Sequence, residues 1–315
     1  MIKSKKNYLL FSIKAIILLV SFYLIYKNIN LEKNFFSTIQ KIEIRYFVIV
    51  LLITFFLTHL QIFVQLKSLY QINMNFIDFK KYAKIFFNGQ MISFILPHSG
   101  TLYKAYKLKG FDLSYQDFIG INFFLTWFYL FFFVTFYSFE ILIFGSKILK
   151  NYYLLVFFLG LLFSISIFSV PFVYKKFFRI NFKNILVSKI YNLITYIIMM
   201  PLNLKNYKFY KFLSICGVVN HVLSFIVIYV LFFSIGYKLN FSFVVIFFII
   251  NSFMDQIPIT PKNLVVSELV FGIISQNMGL TFEFGVLVKL LLRLFFFINL
   301  VTLTIFYNAI DLKKS

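Results

Sequence analysis

Long apolar runs alternate with short polar connectors along this chain, and the length of the runs predicts its architecture. A helix rises about 1.5 Å per residue, so about 20 apolar residues cross a hydrocarbon layer about 30 Å thick. Runs of that length are Tyr8–Tyr26, Tyr46–Leu66, Phe118–Phe139, Tyr153–Tyr174, Phe212–Ile235 and Glu283–Tyr307. Two further runs are interrupted. Ile85–Leu96, about 12 residues, stops at Pro97-His98-Ser99-Gly100 and is too short to span. Phe241–Ile257 breaks at Pro258-Ile259-Thr260-Pro261, at about membrane depth, and resumes from Asn263 to Met278. The pattern predicts an all-α polytopic membrane protein with about seven transmembrane helices plus two re-entrant or broken helical hairpins in an inverted arrangement. One transmembrane domain covers residues 1–315, with hairpin one at about 85–110 and hairpin two at about 241–280.

A different period appears in residues 184–199. Asn184, Ser188, Asn192 and Thr195 recur at helical spacing, with Ile and Leu between them. That spacing predicts an amphipathic helix on the cytoplasmic leaflet. The other reading is a short extra span, which would force a different topology.

Composition agrees with the apolar pattern. Of 315 residues, 61% are hydrophobic and only 13% charged, whereas a soluble domain carries about 25% charged residues. The excess apolar surface must face lipid. A net charge of +21 would suggest nucleic acid in a soluble protein, but here the lysines lie in the connectors between spans. With the N-terminus inside and hairpin one returning to its own side, about 20 Lys and Arg fall inside against about 7 outside. This places the chain in the cytoplasmic (inner) membrane, both termini cytoplasmic, with membrane lipids and no nucleic acid as partners. Lys3, Lys5 and Lys6 precede the first run and no small-residue cleavage site follows it, so that run reads as an uncleaved span. Cys216 is single, and His59, His98 and His221 lack ligand spacing, so no metal or other cofactor is expected.

No nucleotide-binding loop, nucleophile elbow or zinc-protease helix occurs in the sequence, and the expectation is that the chain is not an enzyme. Ser114 and Asp117 have the spacing of a capping box. The chemistry gathers at the two breaks. After Pro97, Ser99 and Thr101 are N-cap types, Gly100 permits an unusual turn, and the helix that follows carries Lys104 and Lys107. At the second break, Thr260 and Pro261 match an N-cap followed by proline at the first helical position, with Lys262 and Glu268 beyond. Helix N-termini aimed into the protein favour an anion, and a lipid phosphate is the natural one at that depth. Lys289 and Arg293 lie four apart on one face of the last run. Glu268 is the expected partner of Arg293, and Asp255 of Lys104 or Lys262. The bland alternative is a neutral pair that only stabilises packing. The residues expected to bind substrate are Pro97, Ser99, Gly100, Thr101, Lys104, Lys107, Asp255, Thr260, Pro261, Lys262, Glu268, Lys289 and Arg293.

At these breaks the chain resembles the transmembrane, flippase-like region of the lysylphosphatidylglycerol synthase family. The first match runs from Asn88-Gly89 through Pro97-His98-Ser99-Gly100-Thr101-Leu102-Tyr103-Lys104-Ala105-Tyr106. Pro97, Gly100 and Ala105 are kept; Thr101 replaces an acidic residue of the family pattern and Lys104 an arginine. The second match is Pro261-Lys262-Asn263-Leu264-Val265 and then Glu268, against Pro-Gly-Gly-Leu-Gly and a glutamate three residues on. Pro261, Leu264 and Glu268 match, and all three glycines are replaced. Arg293 matches the family's arginine. The resemblance implies translocation of lipids, such as aminoacylated phosphatidylglycerol, between leaflets, by a member that stands alone without the soluble aminoacyl-transferase domain. An anionic or lipid-linked headgroup would bind between the hairpin tips, with Glu268 and Arg293 as a switchable pair. Two other readings remain: an intramembrane transferase acting on a polyprenyl-linked or phospholipid substrate, and a non-transporting partner of a cell-envelope enzyme; the expected partners are membrane lipids or a lipid-linked glycan.

Overall fold

The computed structural model describes residue 23 and residues 43–72, 77–95, 99–111, 113–144, 152–177, 185–204, 206–235, 241–256 and 265–312. These residues are helical almost throughout, with no strand among them. Ten α-helices follow in order: α1 (Ile44–Leu69), α2 (Phe79–Ile95), α3 (Ser99–Leu108), α4 (Tyr115–Phe144), α5 (Tyr153–Phe177), α6 (Ile185–Asn203), α7 (Tyr207–Ser234), α8 (Phe241–Gln256), α9 (Val266–Asn277) and α10 (Phe282–Leu312). Five of them, α1, α4, α5, α7 and α10, are long and apolar enough to cross a membrane. Four of them contain in full one of the runs read from the sequence, and α7 ends at Ser234, one residue short of the run that closes at Ile235. The first run, Tyr8–Tyr26, lies almost entirely outside the described residues.

Pro97, Pro258 and Pro261 lie outside the described residues, and the helices on either side of them differ from expectation. The segment before the first break is longer than the expected 12 residues: α2 has 17 and begins at Phe79. Lys80, Lys81 and Lys84 hid this first turn and a half from a count of apolar residues. Helix α3 begins at Ser99, so Ser99 and Thr101 are helical residues and not caps. The second correction is larger. The helix after the second break starts at Val266, not at Thr260 or Pro261. Val265 has φ 71°, which no α-helix can contain, so a continuous helix from Pro261 is excluded.

The chain divides into two compact units, and the boundary falls inside α1, α2, α7 and α10. The first unit holds Met1–Phe56, Gln90–Pro97 and Leu223–Phe306. Its centre is aromatic: Phe232 meets Phe247 at 5.1 Å and Phe284 at 5.5 Å, and Phe247 meets Phe271 at 5.4 Å. Helix α9 ends in a Schellman turn, with Leu280 N–H donating to Ser275 O and Gly279 N–H to Gln276 O. Gly279 supplies the required positive φ of 78°. The turn is short enough that α10 returns along α9 in backbone contact. A Cβ on Gly285 would lie 2.5 Å from the carbonyl carbon of Phe271 and 2.8 Å from Ser275 Cβ.

The second unit holds Leu57–Gly89, His98–Val222 and Tyr307–Ser315. Helix α4 is its axis. Ser114 and Asp117 form the expected capping box: Asp117 N–H donates to Ser114 Oγ at 3.1 Å, and that hydroxyl donates to Asp117 Oδ2 at 2.7 Å. Neutral polar contacts join α4 to α5, with Thr135 and Ser164 hydroxyls 2.5 Å apart and Trp127 Nε1 donating to Ile167 O at 2.8 Å. The amphipathic segment of the sequence is α6. Its Tyr196 hydroxyl donates to Asp117 and its Thr195 meets Tyr174 at 2.9 Å, so its second half packs on the beginning of α4 and the end of α5. Elsewhere in this unit His59 meets Tyr307 at 3.0 Å, and Asn88 and Asn308 exchange hydrogen bonds. In the connector after α1, burial and then the Asp78 carboxylate push the Tyr70 phenol up from its ordinary value.

Candidate functional site

The described residues gather three of the expected charges in the first unit, on α9 and α10. Arg293 Nε lies 2.5 Å from Glu268 Oε1, and Nη2 reaches Glu268 Oε2 at 3.4 Å. The expected ion pair therefore forms. Arg293 Nη2 also donates to Ser267 Oγ at 2.8 Å, and that hydroxyl donates to Glu268 Oε2 at 3.2 Å. Glu268 is buried, with 5% of its side chain exposed, while Arg293 keeps 21%. The carboxylate is thus held away from solvent, and the guanidinium retains an open edge.

One turn before Arg293, Lys289 is equally buried. Its Nζ donates to Asn251 Oδ1 on α8 at 2.6 Å and lies 5.4 Å from the ring centre of Phe271. An ammonium so enclosed needs such partners, because an unpaired buried charge is strongly disfavoured. Lys289 and Arg293 contribute two cations and Glu268 one carboxylate to the described cluster. Charged side chains within membrane helices are costly and face the protein interior or a water-filled cavity.

Val265 delivers Glu268 to this cluster. Helix α9 has no side-chain cap, and its reversed residue is buried and β-branched. Positive φ costs an L residue about 1–2 kcal/mol, and a β-branched one is the least suited to it. The resembling pattern has glycine at this place, and the backbone explains why. Val265→Gly is expected to raise stability by about 1 kcal/mol, the relief of strain exceeding the added freedom of the unfolded chain. Thermal unfolding of the purified variant in detergent checks this; an unchanged or lowered midpoint contradicts it.

The first break presents its lysines differently. Lys104 is buried in the second unit, its stem lying over Gly89 of α2 and its Nζ 5.0 Å from the centre of the Phe86 ring. A Cβ on Gly89 would sit 2.8 Å from Lys104 Cγ and 3.0 Å from Gly100 O, so α2 and α3 touch at glycine distance. Thr101 and Lys107 are exposed. Pro97, Thr260, Pro261 and Lys262 lie outside the described residues, as does the side chain of Asp255 on α8. Sequence reading missed Ser267 and Asn251, since a lone serine or asparagine in an apolar run carries no sign of its partner.

A family model described as the lysylphosphatidylglycerol synthase transmembrane region matches residues 10–303. The chain belongs to this family. As a lysylphosphatidylglycerol synthase transmembrane region it is a multi-pass membrane protein, and its setting is membrane lipid chemistry. The match takes in both breaks and Arg293, the places that carried the resemblance. No curated protein and no solved structure matches this member of the family.

Proposed function

We propose that the chain moves an anionic lipid, or a lipid-linked anionic headgroup, between the leaflets of the cytoplasmic membrane. In this reading about seven helices span the bilayer, both termini are cytoplasmic, and α2–α3 and α8–α9 are re-entrant pairs. The chain itself performs no covalent chemistry.

The observation that carries the reading is the cluster of two cations, Lys289 and Arg293, with the buried Glu268 carboxylate. A phosphate can take the place of Glu268 on Arg293, because guanidinium binds either oxyanion in the same two-pronged way. Lys289 adds a second cation one turn away. The uncapped first turn of α9 adds backbone N–H groups and the positive end of a helix dipole. Glu268 then acts as an internal substitute that holds the site closed when no headgroup is present. Such an exchange between two partners of one arginine gives the bistable element that alternating access requires.

Reconstitution in vesicles tests this. The rate at which labelled phosphatidylglycerol changes leaflet is compared with that of a labelled uncharged lipid. Lys289→Gln and Arg293→Gln are each expected to slow the anionic lipid at least about tenfold, a loss of about 1.4 kcal/mol of binding. Unchanged exchange in both variants removes the site. Product formed from a polyprenyl phosphate in detergent, without vesicles, would assign a transferase instead.

A further inference from the structure

A second buried ionisable pair lies in the other unit, and headgroup binding does not use it. Glu140 Oε1 on α4 is 2.6 Å from His221 Nε2 on α7. Only 6% of the His221 side chain is exposed, and its ring is walled by Phe133, Phe136 and Tyr137 at 5.3–5.9 Å. The other carboxylate oxygen, Oε2, is buried and makes no hydrogen bond among the described residues.

Helix association does not explain this pair. Helix α4 already binds α5 through the neutral hydroxyls of Thr135 and Ser164, which cost far less to bury. A glutamate in a membrane helix is expensive, and an imidazole facing it on another helix points to proton chemistry. Among the described residues, Tyr137 on α4 stands against the ring, and Cys216 lies five residues before His221 on α7. Helix α5 meets α4 near Glu140 through Phe157 and Phe139, and its charges, Lys175 and Lys176, are in its last turn, at the opposite end. Helix α6 reaches the far end of α4, at Asp117.

The charge states follow from the contact. With protons on both ring nitrogens the pair is imidazolium and carboxylate, neutral in sum. With one of them lost, a single negative charge remains among aromatic rings. The two states differ by one full charge in surroundings of low dielectric constant, so each favours a different degree of water access.

We propose that Glu140 and His221 form a proton-binding site whose loading couples lipid movement to pH. The proton comes from water, is held by the His221 ring beside the Glu140 carboxylate, and returns to water; no other bond changes. The coupling rests on the translocation reading, whereas the proton site stands without it.

Two measurements on the full chain in vesicles separate these. Infrared difference spectra across about pH 5–8 report the proton directly. A titrating band is expected in the wild-type chain and is expected to vanish in Glu140→Gln. Lipid exchange across the same range is expected to change about tenfold per pH unit at its steepest, and to be flat within about twofold in Glu140→Gln. The double variant Glu140→Leu with His221→Leu removes both charges together and leaves no orphaned ion, so it keeps its fold and is also expected to be flat. Absence of the band, or full pH dependence in the folded double variant, overturns the proposal. A Glu140-dependent band in a chain that exchanges no lipid at any pH supports the proton site and rejects translocation.

Discussion

Gly285→Ala is expected to cost about 3 kcal/mol, because the new methyl group has nowhere to go. The added carbon would meet the backbone carbonyl of Phe271 at its own carbonyl carbon, 2.5 Å away, and a backbone group cannot rotate aside as a side chain does. Helix α9 must then move off α10. The same shift draws Glu268 from Arg293, since one sits on each helix. Loss of stability and loss of the ion pair are therefore expected together. Gly110→Ala is the matched control, with nothing within 4 Å of its added carbon. Melting of the two variants in detergent decides the matter: equal midpoints would mean that α9 and α10 do not approach as closely as described.

Glu268→Leu is the second large effect. It leaves the Arg293 guanidinium partly buried without its carboxylate, and removing one member of a buried pair costs about 3–5 kcal/mol. Leu at both positions removes the orphaned charge and is expected to recover most of that loss. Stability and transport then part company. A pair that serves packing alone is replaced by the double variant without penalty. A pair that trades its carboxylate for a phosphate is not, and the double variant is expected to melt like wild type and exchange no anionic lipid. Wild-type exchange by the double variant would leave the pair a structural role only.

Much of the fold was legible because the bilayer imposes one length on every crossing helix. Four of the five described spans contain in full the runs read from the sequence, and the fifth, α7, stops one residue short of its run, at Ser234. The Glu268–Arg293 pair was legible too, since each charge stood alone in an apolar run. Its neighbours were not. Glu140 and His221 are 81 residues apart, and Lys289 and Asn251 are 38 apart. Each contact depends on how two helices are rotated about their own axes. In a soluble helix the apolar face reveals that rotation. Here lipid-facing and buried positions are both apolar. Helix α5 buries 11% of its most apolar window and α4 44%, yet the sequences do not distinguish them. The start of α9 was misread for a related reason. Valine argues against positive φ, so only the glycine of the family pattern hinted at the reversal.

By itself, the sequence determined that this protein is helical and that it crosses a membrane several times, because lipid leaves no partner for an unpaired backbone group. The tertiary structure alone decided which buried charges meet. Partner choice across an apolar helix surface is set by rotation and close approach, at Gly285 and Val265 above all, and neither leaves a mark in hydrophobicity.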